Sequence, residues 1–143
     1  MIEFHAGTGP DSQAVGIALE EMFLDYRIAP QRSPVPVTIV GYARMPDAAN
    51  ILMALARKTG RFLPDAMDAA PWLAKTPPDL SQLEEQLADR DFILGAYSIA
   101  DMAMYPIAAQ QAETLSACPN IMRWVKRMSL RPAVGRGMGA VSR

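Results

Sequence analysis

The sequence predicts a mixed α/β unit followed by an all-helical unit. Residues 1–60 hold short β-branched or apolar runs separated by turn residues and by two helical patterns. Four prolines, at positions 64, 71, 77 and 78, then interrupt the chain. After them, apolar residues recur at helical spacing almost to the last residue. We therefore place an α/β domain at 1–63, a linker at 64–79 and a helical domain at 80–143.

The order of elements in the α/β domain is β-α-β-β-β-α. Asp11 or Ser12 is the expected cap of the first helix. The second helix follows Asp47 and ends before Gly60, because glycine is favoured just past a helix end. The three prolines of Pro30–Pro36 indicate a loop. The four predicted strands are Ile2–His5, Tyr26–Ala29, Val37–Val40 and Tyr42–Met45.

The helical domain begins with a face of three leucines, Leu80, Leu83 and Leu87. A second helix is predicted over Ser98–Gln111 and a third over Asn120–Ser129. Ser98 and Asp101 are spaced as a capping box, in which each side chain accepts from a backbone N–H near the other residue. We interpret both as structural rather than catalytic. A short helix around Trp72 is expected within the linker.

Composition and charge narrow the classes of function. The chain has 14 Lys and Arg against 15 Asp and Glu, so no strong field attracts nucleic acid or an anionic membrane. No apolar run reaches the roughly 18 residues that a membrane-spanning helix needs. A single cysteine, Cys118, indicates a reducing compartment and excludes a Cys-x-x-Cys site. We expect a cytoplasmic protein with no metal, nucleic-acid or membrane partner.

The capping-box segment carries a family resemblance. Residues 92–106, FILGAYSIADMAMYP, are similar to the corresponding segment of the glutathione S-transferase C-terminal domain. Residues 118–124 and 131–134 resemble the last long helix of that domain and its arginine-proline stop. Residues 80–138 match almost without a gap, and bacterial thiol-disulfide-type transferases are the most similar subgroup in this half. The first half matches more loosely.

The resemblance implies a thioredoxin-like N-terminal unit with a mixed sheet and a glutathione S-transferase C-terminal-like helical domain. Two pieces of the family fold are short here. Little chain lies between Ile28 and Val35, where the family has its second helix, so this helix is reduced. Little also lies between Pro64 and Leu80, so the fourth helix is reduced or absent.

The resemblance also implies a glutathione site. In the family, a hydroxyl or thiol after the first strand contacts the glutathione sulfur, and here Thr8 or Ser12 would serve. A residue before a cis-proline pairs with the glutathione backbone, which assigns Val35-Pro36 in cis. An acid-serine pair at a helix start holds the γ-glutamyl end, where this chain has Asp47-Ala48. Plainer alternatives exist: Ser12 and Asp47 as helix caps, and a trans proline in a loop.

Two functions follow from these residues. The first is glutathione binding with transfer to an electrophile or with thiol-disulfide reduction. The second is a non-catalytic binding or assembly module with a degenerate glutathione site. A homodimer is also expected, because a short fourth helix should expose an apolar patch. The alternative is that the linker folds back and Trp72 fills the gap within one chain. The predicted patch comprises Ile51, Leu55, Trp72 and Leu83.

Overall fold

The computed structural model describes residues 1–40, 43–74, 78–111 and 114–141. Four strands form one mixed sheet in the order β2-β1-β3-β4. Strand β2 runs parallel to β1, whereas β3 is antiparallel to both β1 and β4. The predicted strands are confirmed to within one residue, and Tyr42 lies outside the described residues. The strands are β1 (Ile2–His5), β2 (Tyr26–Ile28), β3 (Val37–Val40) and β4 (Ala43–Pro46).

Two helices belong to this sheet, α1 (Pro10–Glu21) and α2 (Ala48–Thr59). Helix α2 ends as predicted, at Gly60 with a left-handed φ of 68°. Helix α1 begins earlier than expected, with Gly9 at the cap position. The predicted cap at Asp11 or Ser12 is therefore wrong. Pro10 starts the helix because its fixed φ suits the first turn and its missing N–H is not needed there.

The two faces of the sheet differ. Ile2, Phe4 and Thr38 are almost fully buried on the face that carries the helices. Strand alternation places Glu3, His5 and Ile39 on the opposite face. Between β2 and β3 the chain has no helix, as the prediction of a reduced second helix requires. Among the described residues, the loop that enters β3 is the segment that lies on the outer face of the sheet.

The second half is all helical. The helix predicted around Trp72 is present as α3, and it packs against α5. The last helix, α7, begins at Pro132 and was not predicted from the sequence. A short 3₁₀ turn, Thr114–Ala117, precedes α6. The helices are α3 (Ala66–Leu73), α4 (Leu80–Gln86), α5 (Ile99–Ala109), α6 (Pro119–Ser129) and α7 (Pro132–Ala140).

The predicted apolar patch is not exposed. Ile51 and Leu83 are 0% exposed, Leu55 is 5% exposed and Trp72 is 8% exposed. Helix α3 packs against α5 of the same chain, so the segment after Pro64 folds back and Trp72 is buried there, while α2 packs against α1, α5, β3 and β4. The expectation of an open patch is therefore wrong, and the alternative within one chain is correct.

Helix α1 joins the two halves. It packs against both α5 and α7. At the α1–α7 crossing, a Cβ added to Gly137 would lie 2.4 Å from the backbone nitrogen of Ile17. The buried carboxylate of Glu21 accepts from Arg131 at 2.6 and 3.2 Å. This bidentate pair fixes the end of α1 to the start of α7.

Candidate functional site

A cleft of about 460 Å³ lies where the α/β unit meets the helical unit. Four segments form its wall: the start of α1, the loop before β3, the start of α2, and the surface made by α3 and α5. Apolar and small side chains dominate the lining, with two carboxylates among them. The lining residues are Asp11, Val35, Asp47, Ala48, Ala49, Leu73, Ala74 and Ile107.

The start of α2 is the most distinctive part of this cleft. Asp47 has φ 77° and ψ 126°, a backbone conformation that residues other than glycine rarely adopt. Its N–H donates to the carbonyl oxygen of Pro36 at 3.1 Å. Its carboxylate makes no capping hydrogen bond, so Asp47 occupies the cap position without capping the helix. The Asp47 carboxylate and the first N–H groups of α2 therefore do not bond to each other.

The Val35-Pro36 peptide bond is trans, since none of the peptide bonds in the described ranges is cis. The predicted cis bond is therefore wrong, and a family-type peptide clamp is not present. Trans is the intrinsically preferred form of an X-Pro bond. Both neighbouring carbonyls are used within the chain: that of Val35 accepts from Ser33 Oγ, and that of Pro36 accepts from Asp47. Val35 still lines the cleft.

The two predicted hydroxyls do not line the cleft. Thr8 is exposed in the loop between β1 and α1. Ser12 is only 2% exposed, and its Oγ accepts from the N–H of Gly7 at 2.8 Å. Ser12 therefore holds the loop against the helix. The structure brings Val35, Asp47 and Ala48 together, but it leaves Thr8 and Ser12 outside the lining.

The charge of the cleft is negative. Asp11 and Asp47 are the charged members of its described lining. The same set contains no hydroxyl, thiol or imidazole. A carboxylate favours a nearby ammonium group, and it raises the pKa of a nearby thiol because it disfavours the thiolate. Sequence reasoning treated Asp11 only as a helix cap. Its position before a helical pattern gave no signal that it would face a cleft.

The family of the chain follows from its match to a known protein domain. The sequence profile described as the glutathione S-transferase, C-terminal domain, matches residues 53–132. The chain belongs to the glutathione S-transferase family. None of the curated protein sequences matches this family member.

Solved structures of glutathione transferases share the fold. One from Burkholderia graminis, with two glutathione molecules bound per subunit, is 23% identical with a TM-score of 0.78, covering 99% of this chain and 89% of its own. One from Pseudomonas putida, with one glutathione disulfide bound per subunit, is 20% identical with a TM-score of 0.77, covering 96% and 90%. A homologue from Lodderomyces elongisporus, with two glutathione molecules per subunit, is 15% identical with a TM-score of 0.82, covering 96% and 97%.

This family member keeps the predicted capping box. Ser98 Oγ accepts from the N–H of Ala100 at 3.2 Å, and Asp101 Oδ2 accepts from the N–H of Ser98 at 3.0 Å. Asp101 Oδ1 also accepts from the N–H of Ile93 at 3.0 Å and from Trp124 Nε1 at 2.9 Å. Burial raises the pKa of Asp101 to about 6. This network is structural and outside the cleft.

A transmembrane segment is not found in this family member: none of the helices within the described ranges is both long enough and apolar enough to span a bilayer.

Proposed function

We propose that this protein binds glutathione in the cleft between its two halves and does not activate the glutathione thiol. One observation carries the proposal. The start of α2 offers an uncapped helix end beside the carboxylate of Asp47, whereas the described lining offers no hydroxyl, thiol or imidazole to contact the glutathione sulfur. The site is built to hold the γ-glutamyl end of the ligand rather than to activate its sulfur.

The γ-glutamyl end carries one ammonium and one carboxylate group. The carboxylate of Asp47 suits the ammonium, and a charged hydrogen bond of this kind contributes about 1.5–3 kcal/mol. The N–H groups of Ala48 and Ala49 belong to the first turn of α2, where backbone donors and the helix dipole favour an anion. Both alanines line the cleft. Together these groups complement the two charges of the ligand.

The relatives support the choice of ligand. The transferases from Burkholderia graminis and Lodderomyces elongisporus were solved with two glutathione molecules per subunit, and the one from Pseudomonas putida with glutathione disulfide. Glutathione would act here as a bound ligand rather than as a co-substrate, and the proposal requires no metal.

Two features argue against thiol activation. The hydroxyl of Ser12 is buried and bonded to Gly7. The carboxylate of Asp11 lies at the α1 end of the cleft, where it would raise the pKa of a nearby thiol. A binding or assembly role therefore fits the cleft better than glutathione transfer does.

Catalysis is the second candidate, and the exposure of Thr8 favours it. This side chain is exposed in the loop that leads into α1. A shift of that loop would let its hydroxyl donate to a glutathione sulfur. The reaction would then be transfer of glutathione to an electrophile, or reduction of a disulfide.

We expect Asp47→Asn to weaken glutathione binding by about tenfold or more, because a charged hydrogen bond of about 1.5–3 kcal/mol to the ammonium is lost. Isothermal titration calorimetry measures this. The control is Asp89→Asn, which removes an exposed carboxylate outside the cleft lining. Equal affinity in the wild type and in both variants would show that Asp47 does not hold the ligand.

The same titration separates binding from catalysis. If the thiol makes no specific contact, S-methylglutathione binds within about threefold of glutathione, which corresponds to less than 1 kcal/mol. Conjugation of a chromogenic electrophile then stays at the uncatalysed rate. Catalysis that is abolished by Thr8→Ala while glutathione affinity is retained would establish the second candidate instead.

We also propose that the protein is a homodimer, although the buried patch no longer supplies the reason. We place the interface at the edge strand β4 and the outer side of α3, where Met67 is 85% exposed. Light scattering at micromolar concentration should give twice the mass of one chain, and Met67→Asp should halve it. A concentration-independent monomer mass would exclude the dimer. Because Cys118 is the single cysteine, we still expect a reducing, cytoplasmic location.

A further inference from the structure

A second pocket opens on the outer face of the sheet. Its volume is about 250 Å³. Strand pairing explains which residues meet there, because His5 pairs with Val37, and Ile39 pairs with Arg44. These residues point away from the face that carries α1 and α2. The lining residues are His5, Gln31, Arg32, Ser33, Val37, Ile39 and Arg44.

The pocket exists because the second helix is reduced. The loop of residues 29–36 crosses this face and buries Val37, which is 4% exposed. It leaves Ile39 only half-buried, and the space beside it is the pocket. The three prolines of the loop prevent it from forming the helix that would fill this space. The floor is therefore apolar, and the rim comes from the loop and from the edge strand β4.

The rim is rich in hydrogen-bond donors and positive charge. Arg32 and Arg44 contribute two guanidinium groups, and Gln31 contributes an amide. No carboxylate belongs to the described lining of this pocket, although the whole chain has a net charge of −1. The distribution of charge is thus uneven, with cations concentrated at this opening and two acids in the cleft.

The nearest acid on this face already has partners. Glu3 accepts from Arg27 at 2.9 Å, and its second oxygen lies 3.3 Å from His5 Nε2. The hydrogen bond from Arg27 lowers the pKa of Glu3. His5 Nδ1 lies 3.2 Å from the carbonyl oxygen of Gln31. Glu3 therefore has Arg27 and His5 as its neighbours on this face.

We propose that this pocket binds the phosphate group of a small soluble metabolite, separately from the cleft. The planar fork of a guanidinium matches two phosphate oxygens, and two such groups balance the two charges of a phosphate monoester. The apolar floor of Val37 and Ile39 would contact the organic part of the ligand. A volume of about 250 Å³ is below the range typical of drug-sized ligands, so the metabolite is small.

Pyrophosphate is a suitable probe, titrated into the full chain by calorimetry at constant ionic strength. We expect saturable binding, and at least a tenfold loss of affinity in Arg44→Ala and in Arg32→Ala. Lys126→Ala is the matched control, because it removes an exposed cation of α6 outside this pocket. Glutathione affinity should be the same in all four proteins, since the cleft does not share these residues.

Several results would overturn the proposal. One is the absence of saturable heat with the wild type. Another is an equal loss of affinity in Lys126→Ala and Arg44→Ala, which would indicate general charge attraction. A third is binding to phosphatidic acid vesicles without binding to pyrophosphate, which would assign the surface to a membrane. Circular dichroism of each variant verifies that the fold is kept, and Arg44→Lys, which retains charge without the fork, should recover only part of the affinity.

Discussion

Asp101→Ala is expected to lower the free energy of unfolding by about 3 kcal/mol or more, because each buried donor left without an acceptor costs about 1–3 kcal/mol. The side chain is 0% exposed and accepts from Ile93, Ser98 and Trp124. The loss of an N-terminal cap alone costs about 0.5–2 kcal/mol. The excess comes from the bonds to Ile93 and Trp124, which connect the start of α5 to the preceding loop and to α6. Urea denaturation measures the difference.

The chain offers a matched control for this prediction. Asp79 and Gln82 form a second capping box at the start of α4, but Asp79 is exposed. Asp79→Ala should lower the free energy of unfolding by about 1 kcal/mol, because the exposed backbone N–H that bonded to Asp79 can bond to water instead. If the two substitutions cost the same, the buried network adds nothing to an ordinary cap. Glutathione affinity of the folded Asp101→Ala protein should be unchanged, and its loss would place Asp101 in the binding machinery.

The features predicted correctly depend on local sequence. The box of Ser98 and Asp101 requires only two residues at fixed spacing before an apolar run. The strands follow from short β-branched runs, and the end of α2 follows from Gly60. These signals act over a few residues, so one sequence is sufficient to recognise them.

The residues assigned to a glutathione site fall in two groups. Val35, Asp47 and Ala48 line one cleft and Thr8 and Ser12 do not, whereas ligand binding by any of them stays a prediction. The isomer of the Val35-Pro36 bond and the burial of Ser12 depend on contacts with Ser33, Asp47 and Gly7. The bonds of Ser12 to Gly7 and of Ser33 to Val35 span five and two residues, and the bond of Asp47 to Pro36 joins the start of α2 to the loop before β3. A pattern of residue types does not encode which way a hydroxyl points.

The predicted apolar patch shows a similar limit of prediction from sequence. The helical spacing of Ile51 and Leu55 correctly indicated a face that must be covered. It did not indicate whether a second chain or the same chain covers it. Elements of the same chain provide the cover, since α2 packs against α1, α5, β3 and β4. Trp72 is buried in α3 of the same chain, and the prolines around it weakened the helical signal in that segment.

Helix α7 was missed because its own sequence argues against a helix. Three of its nine residues are glycines, and each costs about 0.8–1 kcal/mol relative to alanine in a helix interior. Packing against α1 outweighs this cost. Gly16 and Gly137 face each other at the crossing, so the two backbones approach more closely than side chains would allow. The low helix propensity is the consequence of a close contact that the sequence pattern does not reveal.

Gly137→Ala is expected to lower the free energy of unfolding by about 3 kcal/mol, which is at the upper end of the range for an overpacked core. The added Cβ would lie 2.4 Å from the nitrogen and 2.5 Å from the Cα of Ile17. These are backbone atoms in the middle of α1, so no side chain can rotate away to relieve the clash. The helices must separate, and the packing of α7 on α1 is lost along its length. Thermal and urea denaturation should both show the loss.

Gly135→Ala provides the opposite expectation within the same helix. A Cβ there meets no atom within 4 Å. The substitution should therefore stabilise the protein by about 0.5–1 kcal/mol, through helix propensity alone. The sign of the effect thus depends on which side of α7 the methyl group occupies. If Gly137→Ala also stabilised the protein, α7 would not pack against α1 as closely as the structure shows, and the bond between Glu21 and Arg131 would be the main link between them.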